Sequence, residues 1–262
     1  MPGAVPTRAA DRSSTVTVMP FALSDTLVVM PAFNEEASVA AVIAEVNEKL
    51  PGATCLVVND GSLDRTAAVA TAAGAQVATM PFNMGVGGAM RLGFQYAVEN
   101  GFQVVVQIDA DGQHDPGSVP ALLAALDGAD IVIGARFSGE GDYSVKGPRR
   151  WAMSLLSGVL SRVARTPLRD TTSGFKANGP RAVALFAHSY PAEYLGDTVE
   201  ALVIAARAGL RIAQVPVAMR PRSGGQPSHD AIKSAVYLGR AFIALLVALM
   251  RPRTALKETA TA

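Results

Sequence analysis

Short apolar runs alternate with longer amphipathic stretches along the first half of the chain. The apolar runs lie at residues 27–30, 55–59, 76–80, 104–108 and 130–134. They are rich in valine and do not alternate with polar residues, as is typical of strands buried on both faces of a sheet. The stretches between them, at residues 36–50, 64–73, 86–100 and 116–126, have helical spacing. This pattern predicts an α/β fold with a mostly parallel sheet flanked by helices.

Polar and glycine-rich sequences directly follow all five predicted strands. In chain order they read PAFNEE, NDGSLDRT, NMGVGG, DADGQHD and GARF. Ligands of parallel α/β sheets bind at the carboxyl ends of the strands. The sequence therefore predicts that five loops build one binding site at one edge of the sheet.

Two aspartates and a glutamine crowd the end of the fourth predicted strand. Asp109, Asp111 and Gln113 offer the hard oxygen ligands that Mg²⁺ and Mn²⁺ prefer, with positions left open for substrate phosphates. A bound cation would also relieve the repulsion between the two carboxylates. These residues are predicted to hold a divalent metal, and aspartates that merely cap a turn are the alternative.

The loops after the second and third strands carry candidate nucleotide contacts. Asp60 stands at a strand tip, where its carboxylate can accept hydrogen bonds from a nucleobase and its ribose. Gly85 and Gly87 lie at a helix start, where small residues let backbone N–H groups approach a phosphate. They do not form a dinucleotide fingerprint, because Met90 replaces its third glycine and Val105 replaces its later acid. A hydride-transfer enzyme is therefore disfavoured.

Other polar residues have a structural explanation. Asp64 and Thr66 open a predicted helix, where aspartate is a natural N-cap. Glu200 fits the polar start of a later helix. His114 and His188 have no partnered spacing, and we interpret them as incidental.

Composition narrows the class of protein. The 23 basic and 22 acidic residues give a net charge of +1, so the chain lacks the basic field expected of a nucleic-acid-binding protein. The lone Cys55 cannot form an internal disulfide and is interpreted as a core residue. Residues 1–25 lack the apolar segment of a secretory signal and are predicted to be a flexible tail. We therefore expect a cytoplasmic protein.

The C-terminal region contains one further apolar segment, at residues 241–250, with basic residues on both sides. A helix of that length spans only ~15 Å, whereas the hydrocarbon core of a bilayer is ~30 Å thick. Residues 231–262 are accordingly predicted to form an amphipathic helix and a tail. The helix either lies on a membrane surface or packs on the core or a second subunit, and the sequence leaves both open.

Six ordered motifs together resemble a known family. They are PAFNEE, NDGSxDxT, NxGxGxA, DADGQHDP, DTTSGF at residues 170–175 and VPV at residues 215–217. The set resembles family 2 glycosyltransferases with the Rossmann-like GT-A fold, in particular the dolichol- and polyprenol-phosphate sugar synthases. The resemblance covers about residues 27–228, so it implies a GT-A domain at residues 26–230.

The resemblance also implies a set of donor contacts. The nucleoside would lie against the first two loops, the metal would hold the diphosphate, and a mobile basic loop after VPV would close over the donor. The implied nucleotide-sugar contacts are Pro31, Ala32, Asn34, Glu35, Asp60, Asp109, Arg220 and Arg222, and the phosphate contacts already expected at Gly85 and Gly87 complete the set.

The same resemblance implies the catalytic chemistry. The sugar is inverted by direct displacement at its anomeric carbon, and the nucleophile is a lipid phosphate that is already ionised at neutral pH. Asp111 would act as a metal ligand. A phosphate acceptor also needs cations beside it, and Arg136, Arg149 and Arg150 are placed to supply them, with solvated surface arginines as the alternative. A sugar hydroxyl as acceptor would instead need a base, for which Asp197 is the candidate.

The resulting first hypothesis is a metal-dependent hexosyltransferase at the inner face of the cell membrane. It would move a sugar from a donor of the GDP-mannose or UDP-glucose type to polyprenyl phosphate. The second hypothesis keeps the donor and has a hydroxyl of an envelope glycan as acceptor. The third is a nucleotide-sugar-binding module without turnover. The sequence does not decide between a monomer and a homodimer.

Overall fold

The structure, a computed structural model, describes residues 20–136, 157–191 and 197–220, without the side chains of residues 136 and 197. The described residues form seven strands, and the five predicted strands agree with β1 to β5 to within two residues at each end. The strands are β1 (Thr26–Ala32), β2 (Thr54–Asn59), β3 (Gln76–Thr79), β4 (Val104–Gln107), β5 (Ile131–Arg136), β6 (Lys176–Asn178) and β7 (Ile212–Val217).

Helices follow the first four strands, as predicted. The first two begin two or three residues later than their patterns suggested, because Glu36 and Asp64 hydrogen-bond across the preceding loops. The helices are α1 (Val39–Lys49), α2 (Thr66–Ala72), α3 (Gly85–Glu99), α4 (Val119–Ala125), α5 (described over residues 157–164), α6 (Pro180–Ser189) and α7 (Asp197–Arg207).

The strands form one sheet in the order β3-β2-β1-β4-β6-β5-β7. Strand β6 runs antiparallel to both of its neighbours, whereas the other pairs are parallel. The mostly parallel α/β sheet is therefore confirmed. The hydrophobic pattern did not reveal β6, because its three residues, KAN, are too short to show a period.

The reversal of β6 affects which segments reach the functional edge. An antiparallel strand begins at the edge where its parallel neighbours end. Residues 170–175, the DTTSGF motif, precede β6 and so lie at the same edge as the loops that follow β1, β2 and β4. That edge is called the carboxyl edge below.

The sheet separates two apolar layers. Alternate residues of β1 divide between them: Leu27 and Val29 face the layer that contains α3, α6 and α7, and Val28 and Met30 face the layer that contains α1 and α4. Burial on both faces explains why the strands lack polar alternation. Phe21 also packs against the second layer, within the segment that the sequence assigned to the tail.

Cys55 lies in this core, as predicted, and burial raises the pKa of its thiol to about 12. In the described ranges, no helix combines the length and the apolar content needed to cross a membrane. The predicted C-terminal helix at residues 231–262 lies outside the described residues, as do residues 1–19 of the predicted tail.

Candidate active site

The loops after β1 and β2 are hydrogen-bonded to each other at the carboxyl edge. The Asn34 N–H donates to Ser62 Oγ at 3.0 Å, and Asn34 Oδ1 accepts from the Leu63 N–H at 2.9 Å. The Glu35 N–H donates to Thr66 Oγ1 at 2.8 Å. Asn34 has a φ of 56°, a left-handed conformation that asparagine tolerates better than most residues. The predicted meeting of these two loops is confirmed.

Asp64 has the structural role that the sequence predicted. Its Oδ1 accepts from the Thr66 N–H at 2.9 Å, and its Oδ2 accepts from the Glu36 N–H at 3.2 Å. These hydrogen bonds outweigh partial burial and hold the pKa of Asp64 below its usual value. The N-cap residue of α2 is Arg65, so Asp64 lies one residue before the cap, and its carboxylate ties the start of the helix to the neighbouring loop.

Asp60 joins the second loop to the third. Its two carboxylate oxygens accept from the backbone N–H groups of Met84 and Gly85, each at 2.7 Å, and the residue is only 3% exposed. Burial raises the pKa of Asp60, and the two hydrogen bonds partly offset this effect. In this arrangement the Gly85 N–H, which was predicted to face a phosphate, donates to Asp60.

Gly61 allows the loop after β3 to approach closely. Its φ is +70°, and a Cβ at this position would lie 2.7 Å from the backbone N of Asn83 and from the backbone C of Phe82. No side chain fits at that distance without moving the neighbouring backbone. The loops after β1, β2 and β3 are thus joined, and we call them the nucleoside-side loops.

The loop after β4 carries the predicted metal ligands, and residues 109–115 are called the metal loop. The Asp109 side chain is 38% exposed, and Asp111 is 9% exposed. Asp111 Oδ1 accepts from the Gln113 N–H at 3.0 Å, which folds the loop back on itself. In the described part of the chain, no three His, Cys, Asp or Glu side chains converge to hold a metal by themselves. Two carboxylates and an amide nevertheless fit a Mg²⁺ or Mn²⁺ ion that takes its remaining oxygens from a diphosphate.

The buried ring of His114 hydrogen-bonds to the start of the metal loop. Its Nδ1 accepts from the Asp109 N–H at 3.0 Å, so the ring proton lies on Nε2, 3.7 Å from Asp109 Oδ2. The ring is 3% exposed and stacks on Phe175 with centroids 4.9 Å apart. The interpretation of His114 as incidental misses this role. The stacking partner Phe175 lies far along the chain, just before β6, so no local spacing indicates the contact.

Gly174 of the DTTSGF motif packs closely against the Asp109 carboxylate, on the side of Gln107. A Cβ on Gly174 would lie 2.9 Å from Gln107 Nε2 and 3.1 Å from Asp109 Oδ2. Gln107 Nε2 itself donates to Asp109 Oδ1 at 3.1 Å. The glycine is therefore needed at this position to leave room for the carboxylate and its amide donor.

Four charged side chains lie at the far end of the metal loop. Arg220 contacts Glu45 Oε2 at 2.8 Å and Asp115 Oδ1 at 2.9 Å. Lys49 contacts Glu45 Oε1 at 2.7 Å and Asp115 Oδ1 at 2.9 Å. We call this group, Glu45, Lys49, Asp115 and Arg220, the Arg220 cluster. Sequence reasoning assigned Arg220 to the donor and did not identify its three partners.

Comparison with known proteins agrees with this geometry. Residues 27–184 match the family described as Glycosyl transferase family 2. The chain belongs to glycosyltransferase family 2. The resemblance seen in the six motifs is confirmed, and so is the expected GT-A architecture.

The names of two relatives of this family 2 chain describe transfer of a sugar to a polyprenyl phosphate. An undecaprenyl-phosphate mannosyltransferase of Micrococcus luteus is 31% identical over an alignment of 210 residues, and the alignment covers 76% of this chain and 85% of that protein. A polyprenol monophosphomannose synthase of Mycolicibacterium smegmatis is 33% identical over an alignment of 160 residues, and the alignment covers 58% of this chain and 60% of that protein.

A solved structure has the same fold. The glucosyl-3-phosphoglycerate synthase of Mycobacterium tuberculosis, in complex with Mn²⁺, uridine diphosphate and phosphoglyceric acid, superimposes with a TM-score of 0.66 at 25% identity. The match covers 87% of this chain and 79% of that chain.

Within this family 2 domain, some of the predicted catalytic and donor-binding residues lie in the described ranges and others lie outside them. Asp111 lies in the metal loop, Arg136 is the last residue of β5, and Asp197 is the first residue of α7. Arg150 and Arg222 lie outside the described residues. The catalytic and donor-binding roles of all these residues stay predictions.

Proposed function

We propose that this protein is a metal-dependent, inverting glycosyltransferase that transfers a hexose from a nucleotide-diphosphate sugar to a polyprenyl phosphate. The observation that carries the proposal is the metal loop, whose half-exposed Asp109 carboxylate lies at the same edge as the nucleoside-side loops. The names of the two polyprenyl-phosphate relatives support the choice of acceptor.

The donor would lie across the carboxyl edge. Its nucleoside would contact the nucleoside-side loops, where Pro31 is half-buried, Ala32 is buried and Asn34 is exposed beside Glu35. Asp60, whose carboxylate holds Met84 and Gly85, would shape this pocket. The remaining donor contacts that we propose are Gly87 and Asp109, with Arg222 beside the diphosphate.

The diphosphate would bind at the metal loop, where Asp109, Asp111 and Gln113 would hold Mg²⁺ or Mn²⁺. Such an ion supplies positive charge that stabilises the departing nucleoside diphosphate. The support for a divalent metal is the donor set itself and the Mn²⁺ in the structure of the glucosyl-3-phosphoglycerate synthase. Asp109 and Asp111 would also orient the donor, because His114 and Gln107 already fix the Asp109 end of the loop.

The acceptor would attack the anomeric carbon directly. An oxygen of the lipid phosphate forms the new C–O bond while the bond to the nucleoside diphosphate breaks, and the leaving group takes the electron pair. A phosphate is already ionised near neutral pH, so this step needs no protein base. Arg136 and Arg150 would bind the acceptor phosphate, and Asp197 would act as a base only if a sugar hydroxyl were the acceptor.

This reaction would take place at a membrane surface, because its acceptor carries a polyprenyl chain. We propose that the segment at residues 231–262 brings the protein to the inner face of the membrane. Packing of that segment on the core or on a second copy of the chain is the alternative.

The test is a transfer assay with radiolabelled UDP-glucose and GDP-mannose, Mn²⁺ and a polyprenyl phosphate. The proposal predicts an organic-soluble labelled product that is lost when EDTA is added. Matched reactions replace the lipid with phosphoglyceric acid or with an envelope glycan. Label in an aqueous product only would exclude the lipid acceptor, and binding without transfer to any acceptor would indicate a nucleotide-sugar-binding module.

A further inference from the structure

Arg220 is attached to the metal loop by its backbone as well as its side chain. Its N–H donates to the Gln113 carbonyl at 3.0 Å, and Met219 forms an antiparallel bridge with His114. Its guanidinium lies 2.9 Å from Asp115 Oδ1. Three consecutive residues of the metal loop, 113 to 115, are thus in contact with the two residues 219 and 220.

The other half of the guanidinium is fixed to a helix. Glu45 and Lys49 are one turn apart on α1, and Glu45 Oε2 accepts from Arg220 at 2.8 Å. The four side chains of the Arg220 cluster are between 24% and 38% exposed. Each carboxylate has two cationic partners, so the charges form a closed network in a partly shielded site. Networks of this kind contribute more than single exposed ion pairs.

The network fixes the end of the metal loop that is opposite Asp109. His114 and Gln107 hold Asp109, at the start of the loop. Asp115, at its end, is held by Lys49 and Arg220 and accepts from the Gly117 N–H at 2.9 Å. A loop that is ordered before its ligand arrives loses less conformational entropy when the ligand binds.

We propose that Arg220 is a positioning residue, which orders the metal loop through Asp115 and Gln113 and thereby raises the affinity of the proposed metal site. The proposal rests on the metal binding included in the proposed function. It differs from the donor contact that the sequence assigned to Arg220, since a guanidinium that already spans two carboxylates acts on the donor only through the loop.

The variants that test this are Arg220→Met, Glu45→Gln and the double substitution. Glu45 touches Arg220 and Lys49 but none of the proposed metal ligands, so its substitution perturbs the network from outside the site. Arg181→Met is the matched control, because it removes an arginine–carboxylate pair with Asp130 at 3.1 Å, at the amino end of β5. Thermal unfolding identifies any variant that does not fold.

The first readout is amide hydrogen exchange in the metal-free protein. We expect exchange of residues 109–117 to be about fivefold faster in Arg220→Met, about two- to threefold faster in Glu45→Gln, and unchanged in Arg181→Met. The double variant should resemble Arg220→Met, since both substitutions disrupt one network. Unchanged exchange in Arg220→Met would overturn the proposal, and this result needs neither metal nor activity.

The second readout is Mn²⁺ binding in the presence of UDP, measured by the loss of the free-ion electron paramagnetic resonance signal. We expect about fivefold weaker binding in Arg220→Met and partial recovery in Arg220→Lys. If Glu45→Gln binds as the unmodified protein does while Arg220→Met does not, Arg220 contacts the donor directly and the proposal is wrong. A protein that binds Mn²⁺ and UDP but transfers no sugar would contradict the proposed function alone.

Discussion

The two halves of the carboxyl edge are held together by different forces. On the nucleoside side, hydrogen bonds between side chains and backbone join Asn34 to Ser62 and Glu35 to Thr66, over separations of 28 and 31 residues. On the metal side, ion pairs join Lys49 to Asp115 and Arg220 to Glu45, over separations of 66 and 175 residues. The nucleoside side is therefore fixed by hydrogen bonds between neighbouring loops, whereas the far end of the metal loop is fixed by ion pairs with more distant parts of the chain.

This difference predicts how each half responds to perturbation. Hydrogen bonds and close backbone contacts depend weakly on salt, whereas partly exposed ion pairs are screened by it. Substitutions that alter the backbone geometry should destabilise the nucleoside side. Substitutions that remove charges should disrupt the metal side. Four predictions test this contrast, from the largest expected effect to the smallest.

The largest effect is expected from Asp111→Ala on the metal side. Loss of this proposed ligand should reduce transfer by about 10³-fold, equivalent to about 4 kcal/mol of transition-state stabilisation, with the fold retained. Initial rates and a thermal unfolding curve measure both quantities. Asp127→Ala, which alters an exposed carboxylate after α4, is the control and should leave the rate unchanged. A normal rate in Asp111→Ala would contradict the assignment of the metal.

A large loss of stability is expected from Gly61→Ala on the nucleoside side. The new Cβ would lie 2.7 Å from two backbone atoms at a φ of +70°, so the free energy of unfolding should fall by about 3 kcal/mol or more. Gly101→Ala is the matched control. Its φ is +77° with no atom within 4 Å, so only the conformational cost of about 1 kcal/mol applies. Equal losses in urea denaturation would show that close packing of the loops is unimportant.

A smaller loss is expected from Asp60→Asn. The amide group cannot offer two carboxylate oxygens to the N–H groups of Met84 and Gly85, and one of these buried donors would face an NH₂ group. The free energy of unfolding should fall by about 2 kcal/mol, as measured by urea denaturation. The effect should be similar in low and high salt, because it does not depend on an ion pair. A strong salt dependence would contradict the contrast between the two sides.

The smallest effect is expected from Glu45→Gln, and it should depend on pH. Burial opposes ionisation of Glu45, but hydrogen bonds and charges from Lys49 and Arg220 outweigh it and hold its pKa below the ordinary 4.5. A lowered folded-state pKa adds stability that is present above pH 4.5 and is lost as the pH falls through the folded value.

The unmodified protein should therefore be more stable than Glu45→Gln by less than about 1 kcal/mol near neutral pH. The difference should diminish as the pH falls below 4.5 and through the lowered pKa of Glu45, and it should shrink in high salt. Urea denaturation at several pH values measures it. A difference that persists at low pH would indicate that Glu45 acts through packing rather than charge.

How much could be predicted depended on how local each feature is. The five strands β1 to β5 and the contact between the loops after β1, β2 and β3 followed from a repeated hydrophobic pattern, and the structural role of Asp64 followed from its position before a helix. The role of His114 could not be identified in this way, because it depends on the stacking of its ring on Phe175, which lies on a distant segment. Asp60 was expected to face a ligand, and in the structure its carboxylate is hydrogen-bonded to Met84 and Gly85.

The sequence by itself determined the mostly parallel α/β sheet, the edge at which its polar loops gather and the loop that carries Asp109 and Asp111. These depend on periodicity and on residue types that act within a few positions of each other. Only the tertiary structure decided that β6 reverses direction, that Gly174 leaves room for Asp109 and that Arg220 joins α1 to the metal loop. Such contacts depend on which distant segments the folded sheet brings together, and no local pattern encodes that choice.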